Sequence, residues 1–489
     1  MHSLEAILVT TAVLLLLAIV ASKAAARLGV PALLLFLCLG MLAGSEGIGG
    51  IEFDYPRLAQ SVGIVALIFI LFSAALDTTW NQIRPVLGSG ISLATLGVVI
   101  SSVLLGWFAV WFAGFNLREG LLLGAIVSST DAAAVFTVLR SKNLALKGSL
   151  RGVAELESGS NDPMAVLLTV GMLAVVADPT RSVWSLVPIF LLQLGIGAAL
   201  GFICGRAMLW LTNHLRLEWE GLYPVLSVAL VLATYGITTF SQGSGFLAIY
   251  VAGLVLGNAS FIHRRTLLLF HDGLAWLMQI AMFVVLGLQV FPSRLLPVAS
   301  FGLLASAFLM LVARPASVFA ALSWSAFNWR EKLFLSWAGL RGAAPIILAT
   351  FPLVAGVANA ELFFNIVFFI TLTSVLLQGT TIPTVAKWMK VLGPQHKKRA
   401  YPIEYSPAEG IKNELVEIEI STGSQAAGKR IVDLGLPKDV LIVLMGRGDE
   451  MIVPSGSTVI LPGDTLLVLG EKEPVSATRM QLTSHESNS

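Results

Sequence analysis

The stretch Glu157-Ser158-Gly159-Ser160-Asn161-Asp162-Pro163 places two carboxylates, an amide and two hydroxyls beside a segment built for lipid. The residues that follow it, 164–177, carry no charge. Holding a charged side chain at the centre of a bilayer costs about 3 kcal/mol or more, so such groups mark functional sites in membrane proteins. The stretch therefore predicts a polar site inside a membrane domain.

The composition of the whole chain indicates a polytopic membrane protein. Its 489 residues are 56% hydrophobic and only 12% charged, and the mean hydropathy is +0.84. A soluble domain could not cover itself with so few polar side chains. The net charge of +2 gives no reason to expect nucleic acid as a partner, whereas membrane lipid is the expected surrounding. The two cysteines, Cys38 and Cys204, lie in apolar runs and predict neither a disulfide framework nor a metal site.

Apolar runs close to the ~20 residues that cross a bilayer predict thirteen spanning helices. An odd number puts the two termini on opposite sides of the membrane. Basic residues concentrate in the loops on the side of the C-terminus, so the positive-inside rule predicts a cytoplasmic C-terminus and an external N-terminus. The only basic residues in the opposite loops are Arg57, Arg118, Arg181 and Arg294. The predicted spans are 4–22, 30–48, 58–76, 86–113, 119–140, 153–177, 183–212, 220–240, 245–260, 273–291, 295–325, 331–356 and 361–389.

The character of the sequence changes after this membrane domain, which is predicted over residues 1–392 and is all-α. A basic linker at 393–402 is followed by alternating apolar and polar residues, typical of short strands separated by Gly and Pro turns. We therefore predict a small cytoplasmic α/β domain at 403–482, with its helix at 429–436, and a disordered tail at 483–489. The strands are predicted at 415–420, 440–445, 451–453, 457–461 and 465–469.

Few ionisable residues are expected at membrane depth, namely three acids and two arginines. If each arginine neutralises one acid, one carboxylate is left without a fixed partner. That carboxylate is the candidate for a group that alternates between a proton and a metal cation. The set comprises Asp131 on the fifth helix, Glu157 and Asp162 on the sixth, Arg314 on the eleventh and Arg341 on the twelfth.

The fifth and twelfth helices each combine a charge with small or helix-weakening residues near mid-span, at 127–133 and 338–345. Transporters built from inverted repeats have such broken helices, whose free carbonyl and N–H groups coordinate ions. An acid on one broken helix and a base on the other suggest a bond between Asp131 and Arg341. If Asp131 is bonded to Arg341, Glu157 is the expected partner of Arg314. The predicted fold therefore has inverted repeats with two broken helices.

These motifs resemble those of the bacterial monovalent cation:proton antiporters related to the sodium/proton exchangers. The matching segments are Ser129-Thr130-Asp131, the stretch 157–163, Arg314-Pro315 and Gly339-Leu340-Arg341-Gly342, in the family's order. Together they span the fifth to the twelfth helix, and the combination is far more specific than any one of them.

The resemblance implies a role for each residue of the site. Asp162 would carry the ion and the proton, Asn161 and Ser158 would line or support its site, and Thr130 would contribute through its backbone. The resemblance also implies two structural charge pairs. These pairs are Glu157 with Arg314 and Asp131 with Arg341.

Two further features bear on the ion that is carried. The neutral Asn161 beside Asp162 goes, in relatives of this kind, with electroneutral one-for-one exchange. Relatives also place an acid on the third helix in a Phe-acid-Gly-Gly-Leu stretch, whereas this chain has Phe72-Ser73-Ala74-Ala75-Leu76. With Ser73 there, any cation ligand from that helix is neutral, so we expect Asp162 to be the only acidic side chain that contacts the ion.

The C-terminal module resembles the TrkA C-terminal domain through its segments 428–437, 454–456 and 461–470. No Gly-x-Gly-x-x-Gly turn between a strand and a helix precedes it, so we expect the dinucleotide-binding half to be absent. The resemblance implies ligand sensing, by analogy of a nucleotide or cyclic dinucleotide, and a homodimer. The combination of membrane domain and module is similar to the potassium/proton antiporters grouped as cell volume regulation protein A.

We therefore expect a secondary antiporter of the bacterial inner membrane that exchanges K⁺ for H⁺, with Na⁺ as the alternative cation, and that is not an enzyme and needs no cofactor. Competition between a proton and a cation for Asp162 would couple the two fluxes. A potassium channel is a rival suggested by the regulatory module, but no Thr-Val-Gly-Tyr-Gly filter run is present. A transporter-like sensor would bind a ligand without flux. An ATP-driven pump is disfavoured because the sequence has no Gly-x-x-x-x-Gly-Lys-Ser/Thr loop.

Overall fold

A computed structural model of the chain divides into two compact units, Met1–His396 and Lys397–Ser489, and each unit is described by itself. The structure describes residues 4–28, 30–142, 144–178, 180–393, 413–421, 423–437, 439–448 and 450–483. The linker expected at 393–402 lies outside these ranges after Gly393. The tail expected at 483–489 lies outside them after Thr483.

The first unit is a helical membrane domain. In the described ranges, ten helices are long and apolar enough to cross a bilayer, and three shorter apolar helices accompany them. They correspond one to one with the thirteen predicted spans, and only their ends differ. They are α1 (Leu4–Leu28), α2 (Ala32–Ala43), α3 (Pro56–Asp77), α4 (Trp80–Ala113), α5 (Leu117–Val127 and Ala132–Ser141), α6 (Gly148–Ala177), α7 (Val183–His214), α8 (Leu222–Phe240), α9 (Gly245–Gly257), α10 (Arg264–Leu288), α11 (Pro292–Ala321), α12 (Trp329–Trp337 and Ala343–Ala355) and α13 (Ala360–Trp388).

The same order of irregular elements occurs twice along this unit. Helix α4 contains a 3₁₀ turn at Arg84–Val86 and a π-helical turn at Leu93–Gly97, and α11 contains the same pair at Leu296–Val298 and Leu309–Ala313. A broken helix and then a long helix follow each of them. Corresponding members lie an odd number of crossings apart, so the triplets α4–α6 and α11–α13 run in opposite directions across the bilayer. This is the arrangement of inverted repeats.

Both broken helices begin with the same local device. Asn116 and Glu119 form a capping box at the start of α5, and Asn328 and Glu331 form one at the start of α12. Each box satisfies N–H groups that the first turn of a helix leaves unpaired. The predicted breaks are present, since both helices lose regular structure near mid-span.

Glycines allow several helix pairs to approach closely, and the contact between α2 and α10 is one example. At Gly287 an added Cβ would lie 2.4 Å from the Leu37 carbonyl oxygen, and at Gly40 it would lie 2.3 Å from the Val284 carbonyl oxygen. Lipid tails are as apolar as the side chains, so van der Waals contact between small residues is a main source of helix association in membranes. This packing joins the two helices backbone to backbone.

Over its described residues, the second unit forms a four-stranded antiparallel sheet with one α-helix. The strands are β1 (Asn413–Glu419), β2 (Val440–Arg447), β3 (Glu450–Ile452) and β4 (Thr465–Glu471), in the order β1-β4-β2-β3. Helix α14 (Lys472–Thr483) follows directly, with its buried Val475 and Leu482 in the core beneath the sheet.

Two predicted elements of this unit are wrong. The segment 429–436 forms only a 3₁₀ turn, Ile431–Leu434, because Gly435 in the left-handed region ends it, and so short a segment does not sustain an α-helix. The segment 457–461 is not a strand. It is bonded to the segment 428–431, for example by Ile431 N–H to the Thr458 carbonyl at 3.0 Å and Ile460 N–H to the Lys429 carbonyl at 2.9 Å. In the described residues these bonds form one isolated bridge, between Arg430 and Val459, and no regular ladder.

The contact between α2 and α10 generates the first prediction. Gly287→Ala should lower the midpoint of thermal unfolding in detergent, because overpacking of this kind costs about 1–3 kcal/mol. Gly273→Ala in the same helix is the matched control, since nothing lies within 4 Å of a Cβ added there. The control should be neutral or slightly stabilising, as Ala is the better helix former by about 1 kcal/mol. Equal midpoints for the two variants would contradict the prediction.

Candidate functional site

Arg341 lies in the break of α12 and caps the end of the first half of α5. Its Nη1 donates to the carbonyl oxygens of Ser128, at 2.5 Å, and Ser129, at 2.7 Å. These carbonyls end the first half of α5, where the helix dipole is negative, so a guanidinium is the appropriate cap. The side chain is 1% exposed. Arg341 therefore supplies donors that water cannot supply at this depth.

The second half of α5 is capped by Asp131. Its Oδ1 accepts from the Ala134 N–H at 3.1 Å, and its own N–H donates to the Leu340 carbonyl at 2.7 Å. Gly342 makes room for this carboxylate, because a Cβ there would lie 2.5 Å from Asp131 Oδ2. An acid at a helix N-terminus and a base at a helix C-terminus both have the favourable sign.

The ion pair predicted between Asp131 and Arg341 is not among the salt bridges of the described chain. The two side chains cap opposite ends of the break in α5 instead. The physical reason is that backbone groups freed by a broken helix need partners as much as the charges do. The breaks of α5 and α12 remain directly joined through the bond from the Asp131 N–H to Leu340.

The contact predicted between Glu157 and Arg314 is present. Arg314 Nη2 lies 2.6 Å from Glu157 Oε1, and the side chains are 3% and 4% exposed respectively. Gly339, in the break of α12, borders the guanidinium, because a Cβ there would lie 2.4 Å from Arg314 Nε. The ion pair is thus enclosed among α6, α11 and α12. A charge pair this deeply buried is costly to break from one side only.

Asp162 lies where α6 passes the break of α5. The Ser129 hydroxyl donates a hydrogen bond to Asp162 Oδ1. Beside it the Ser158 hydroxyl donates to the Thr130 carbonyl at 3.2 Å and accepts from the Ala132 N–H at 3.1 Å. Asp162 is partly accessible to solvent, whereas Ser129 and Thr130 are buried.

Asn161 contributes an unused oxygen to the same place. Its Nδ2 donates to Thr130 Oγ1 at 2.5 Å, while its Oδ1 is buried and has no hydrogen-bond partner among the described residues. A buried polar atom without a partner is rare and costs free energy. Carboxylate, amide and hydroxyl oxygens therefore meet here, and oxygen is the ligand type that hard cations prefer.

The structure thus divides the three acids at membrane depth by their use. Glu157 is paired with Arg314 and Asp131 caps a helix. Asp162 has no basic partner within 4.0 Å in the described ranges and is bonded only to a serine hydroxyl. Ser73 on α3 is buried but makes no hydrogen bond to this group within the described part of the chain.

Three polar residues of the site were not predicted. Ser129 is next to two predicted residues, and its place in the Ser-Thr-Asp run was the available signal. Ser374 and Gln378 on α13 support the break of α12, since the Arg341 N–H donates to Ser374 Oγ at 3.0 Å and Gln378 Nε2 donates to the Trp337 carbonyl at 2.9 Å. Isolated polar residues on an apolar helix gave no pattern to find them by.

Comparison with known proteins identifies the family. The model of the transmembrane sodium/hydrogen exchanger family matches residues 12–388. The chain belongs to the sodium/hydrogen exchanger family. The TrkA-C domain model matches residues 415–483, which contain the sheet of the second unit.

Two curated relatives and one solved structure show how far the similarity extends. The chain is 40% identical to the K(+)/H(+) antiporter NhaP of Alkalimonas amylolytica over 96% of its own length and 82% of the relative. It is 39% identical to the K(+)/H(+) antiporter NhaP2 of Shewanella sp. (strain ANA-3), over 97% and 83%. The sodium proton antiporter MjNhaP1 from Methanocaldococcus jannaschii at pH 8 superposes with a TM-score of 0.68 at 25% identity, covering 78% of this chain and 98% of that one.

The family settles the broad class of the protein. It is a multi-pass membrane protein and a monovalent cation:proton antiporter. Antiporters of this kind use no cofactor, because the ions they carry are their substrates. The family consists of transporters. The predicted fold class, with a helical antiporter domain followed by a small TrkA-C domain, is confirmed.

The buried ion pair generates the second prediction. Glu157→Gln and Arg314→Met should each reduce the yield of monodisperse protein in detergent, because breaking one side of a buried pair costs about 3–5 kcal/mol. The double variant should be more stable than either single variant, since no buried charge is then left unpaired. Fluorescence-detected size exclusion and thermal melting measure this directly. Additive losses in the double variant would show that the two side chains do not act as a pair.

Proposed function

We propose that this chain exchanges K⁺ for H⁺ and that Asp162 is the group that binds each in turn. The observation that carries the proposal concerns the three acids expected at membrane depth: within the described residues, only Asp162 has neither a basic partner nor a capping role. Asn161 and Ser158 are both bonded to Thr130, which follows Ser129, the partner of Asp162, and these residues would supply neutral oxygens. Glu157, Arg314, Asp131 and Arg341 hold the frame of this site.

The proposed coupling follows from the cost of moving charge. With a bound cation or a bound proton, Asp162 is neutral overall, whereas the empty carboxylate carries a charge that is expensive to hold in a low-dielectric environment. The loaded states can therefore change their access from one side to the other, and the empty state cannot. Because Asn161 is uncharged, one carboxylate handles one cation or one proton per half-cycle. We accordingly propose electroneutral one-for-one exchange.

K⁺ is preferred over Na⁺ in this proposal for two reasons. The two relatives that match almost the whole chain are named K(+)/H(+) antiporters, and the TrkA-C domain model matches the second unit. Na⁺ is the alternative, since the solved structure that matches is called a sodium proton antiporter. Ser73 on α3, where relatives have an acid, is the position at which this chain differs in a residue that could affect the choice between K⁺ and Na⁺.

We further propose that the protein lies in the bacterial inner membrane with its N-terminus outside and its C-terminus in the cytoplasm. The support is the asymmetry of basic residues between the two sets of loops. In this orientation α6 begins at the cytoplasmic face. Lys147 and Arg151 at its first turn then lie on the positive side.

The TrkA-C domain is proposed to regulate exchange as a homodimer that binds a nucleotide or cyclic dinucleotide. The homodimer and the ligand rest on the match to the TrkA-C domain. A backbone connection at the end of the membrane unit supports only the mechanical part of this proposal. Lys147 N–H donates to the Val391 carbonyl at 3.2 Å, and Gly393 N–H donates to the Ala145 carbonyl at 2.9 Å. The chain that continues to the regulatory domain is therefore bonded to the loop between α5 and α6. A pull on Gly393 would reach both helices that form the site.

The third prediction tests the role of Asp162. In proteoliposomes, Asp162→Asn should show no cation-driven proton movement, because an amide binds neither a proton nor a cation with charge compensation. Asp178→Asn is the matched control: Asp178 lies just beyond α6, where hydrogen bonds from Thr180 hold the pKa of its carboxyl below the usual value. Asp178 therefore stays ionised. Because it lies beyond the end of α6 and away from Asp162, we expect exchange to continue without it.

The measurement is dye-reported proton flux against a series of alkali chlorides. A response to K⁺ that exceeds the response to Na⁺ supports the proposed ion. Retained exchange in Asp162→Asn would refute the assignment of the carboxylate. Binding without flux in the parent protein would favour a sensor, and cation flux without proton flux would favour a channel.

A further inference from the structure

We propose that Glu155 and Tyr250 form a second cation-binding position, here called the access subsite, which the ion occupies between the cytoplasm and Asp162. This inference rests on the proposed function, since it needs Asp162 as the destination and the proposed orientation of α6. The ligand is a partly hydrated alkali cation. The subsite would determine how well the protein captures cations from one side only.

The first observation is the spacing along α6. Glu155, Gly159 and Asp162 are at positions i, i+4 and i+7 of one continuous helix, and such positions share a face. Seven residues of α-helix span about 10 Å, or two turns. Glu155 therefore lies on the same stripe as Asp162, two turns nearer the end of α6 assigned to the cytoplasm.

The second observation concerns the Glu155 carboxylate itself. Its Oε1 accepts from Arg151 Nε at 2.8 Å, while its Oε2 is buried and has no hydrogen-bond partner in the part of the chain that the structure describes. The Glu155 side chain is 14% exposed, but that of Arg151 is 49% exposed. An arginine this exposed is a weak partner. An incoming cation therefore competes with an exposed arginine for a carboxylate that has one oxygen unused.

The third observation is the position of Tyr250 on α9. Its ring lies directly on the backbone of α6 at Gly159, where a Cβ would be 2.1 Å from Tyr250 Cε2. The residue is 3% exposed, and its hydroxyl is buried next to the Thr78 side chain, with Glu155 also nearby. Within the described residues this hydroxyl makes no hydrogen bond of ordinary geometry. Its oxygen is therefore available, and a transient cation beside Glu155 would use it.

Charges of both signs lie around Asp77, which is itself near Arg151. Asp77 at the end of α3 lies near Arg151 and near Asp272 of α10. Two further arginines, Arg140 and Arg264, are also within electrostatic range of Asp77. Mixed charges of this kind keep affinity modest, as a position on a transport path requires, because an ion must leave it as readily as it arrives.

The ring of Tyr250 also has a geometric role. It covers the stripe at Gly159, between the two carboxylates, so an ion bound at Glu155 is separated from Asp162 by the ring. Passage of the ion then requires the ring or α6 to move. The access subsite and Asp162 would consequently be filled in sequence.

The experiment measures the half-maximal K⁺ concentration for dye-reported proton movement in everted and right-side-out membrane vesicles. Glu155→Gln should raise it about tenfold when K⁺ is supplied at the cytoplasmic face, with little change from the other face. Tyr250→Phe keeps the ring and should raise it about threefold from the same face. Arg151→Gln frees the carboxylate and should lower it several-fold, an effect that should vanish in the Glu155→Gln background.

Each outcome decides the matter. A structural role for Glu155 would reduce the amount of folded protein or the maximal rate from both faces alike, and that result contradicts the access subsite. Unchanged values in Glu155→Gln and Tyr250→Phe contradict it as well. Should Glu155→Gln fail to fold, an unchanged or raised value in Arg151→Gln still overturns the proposal. Asp162→Asn is measured in parallel. Retained exchange in Asp162→Asn refutes the proposed function. Lost exchange in Asp162→Asn together with an unchanged half-maximal K⁺ concentration in Glu155→Gln refutes only the access subsite.

Discussion

An interrupted helix inside a bilayer leaves backbone groups that no water can satisfy, and the rest of this membrane domain follows from that constraint. Residues at the break of α12 supply hydrogen-bond partners for the backbone groups at the break of α5, and the reverse also holds. Asp131 donates its N–H to the carbonyl of Leu340, and Arg341 caps the carbonyl end of the first half of α5. The place where the two breaks meet therefore needs the charges of Asp131 and Arg341 for a structural reason, before any ion is bound.

The division of charges at membrane depth is a consequence of this frame. Arg341 is used by carbonyls, Asp131 by helix amides, and Arg314 by Glu157. What remains is Asp162, held by a hydroxyl and flanked by an amide oxygen without a partner. In the proposed function this carboxylate binds K⁺ and H⁺ in turn. Two turns along α6, Glu155 has one carboxylate oxygen bonded to Arg151 and the other without a hydrogen bond in the described residues.

Much of the fold could be predicted because the bilayer imposes strong rules on sequence. Thirteen spans, two breaks and the cluster around Asp162 all come from apolar length and from charges placed where charges are costly. The pair of Asp131 with Arg341 was wrong because simple charge counting ignores backbone acceptors. The misplaced helix and strand of the TrkA-C domain show that short segments between glycines carry weak signals. Ser374 and Gln378 were missed because single polar residues are common in helix packing.

The sequence by itself determined the class of protein, the number of helices, the positions of the breaks and the residues that compete for a role at the site. These are local properties, since each depends on the length and polarity of one segment. Only the tertiary structure decided which charge meets which partner. That choice depends on how α5, α6, α11 and α12 pack, and packing brings together groups that are far apart in the chain. The stretch from Glu157 to Pro163 is the clearest case, because its two acids are five residues apart and have unlike surroundings: one faces Arg314 and the other Ser129.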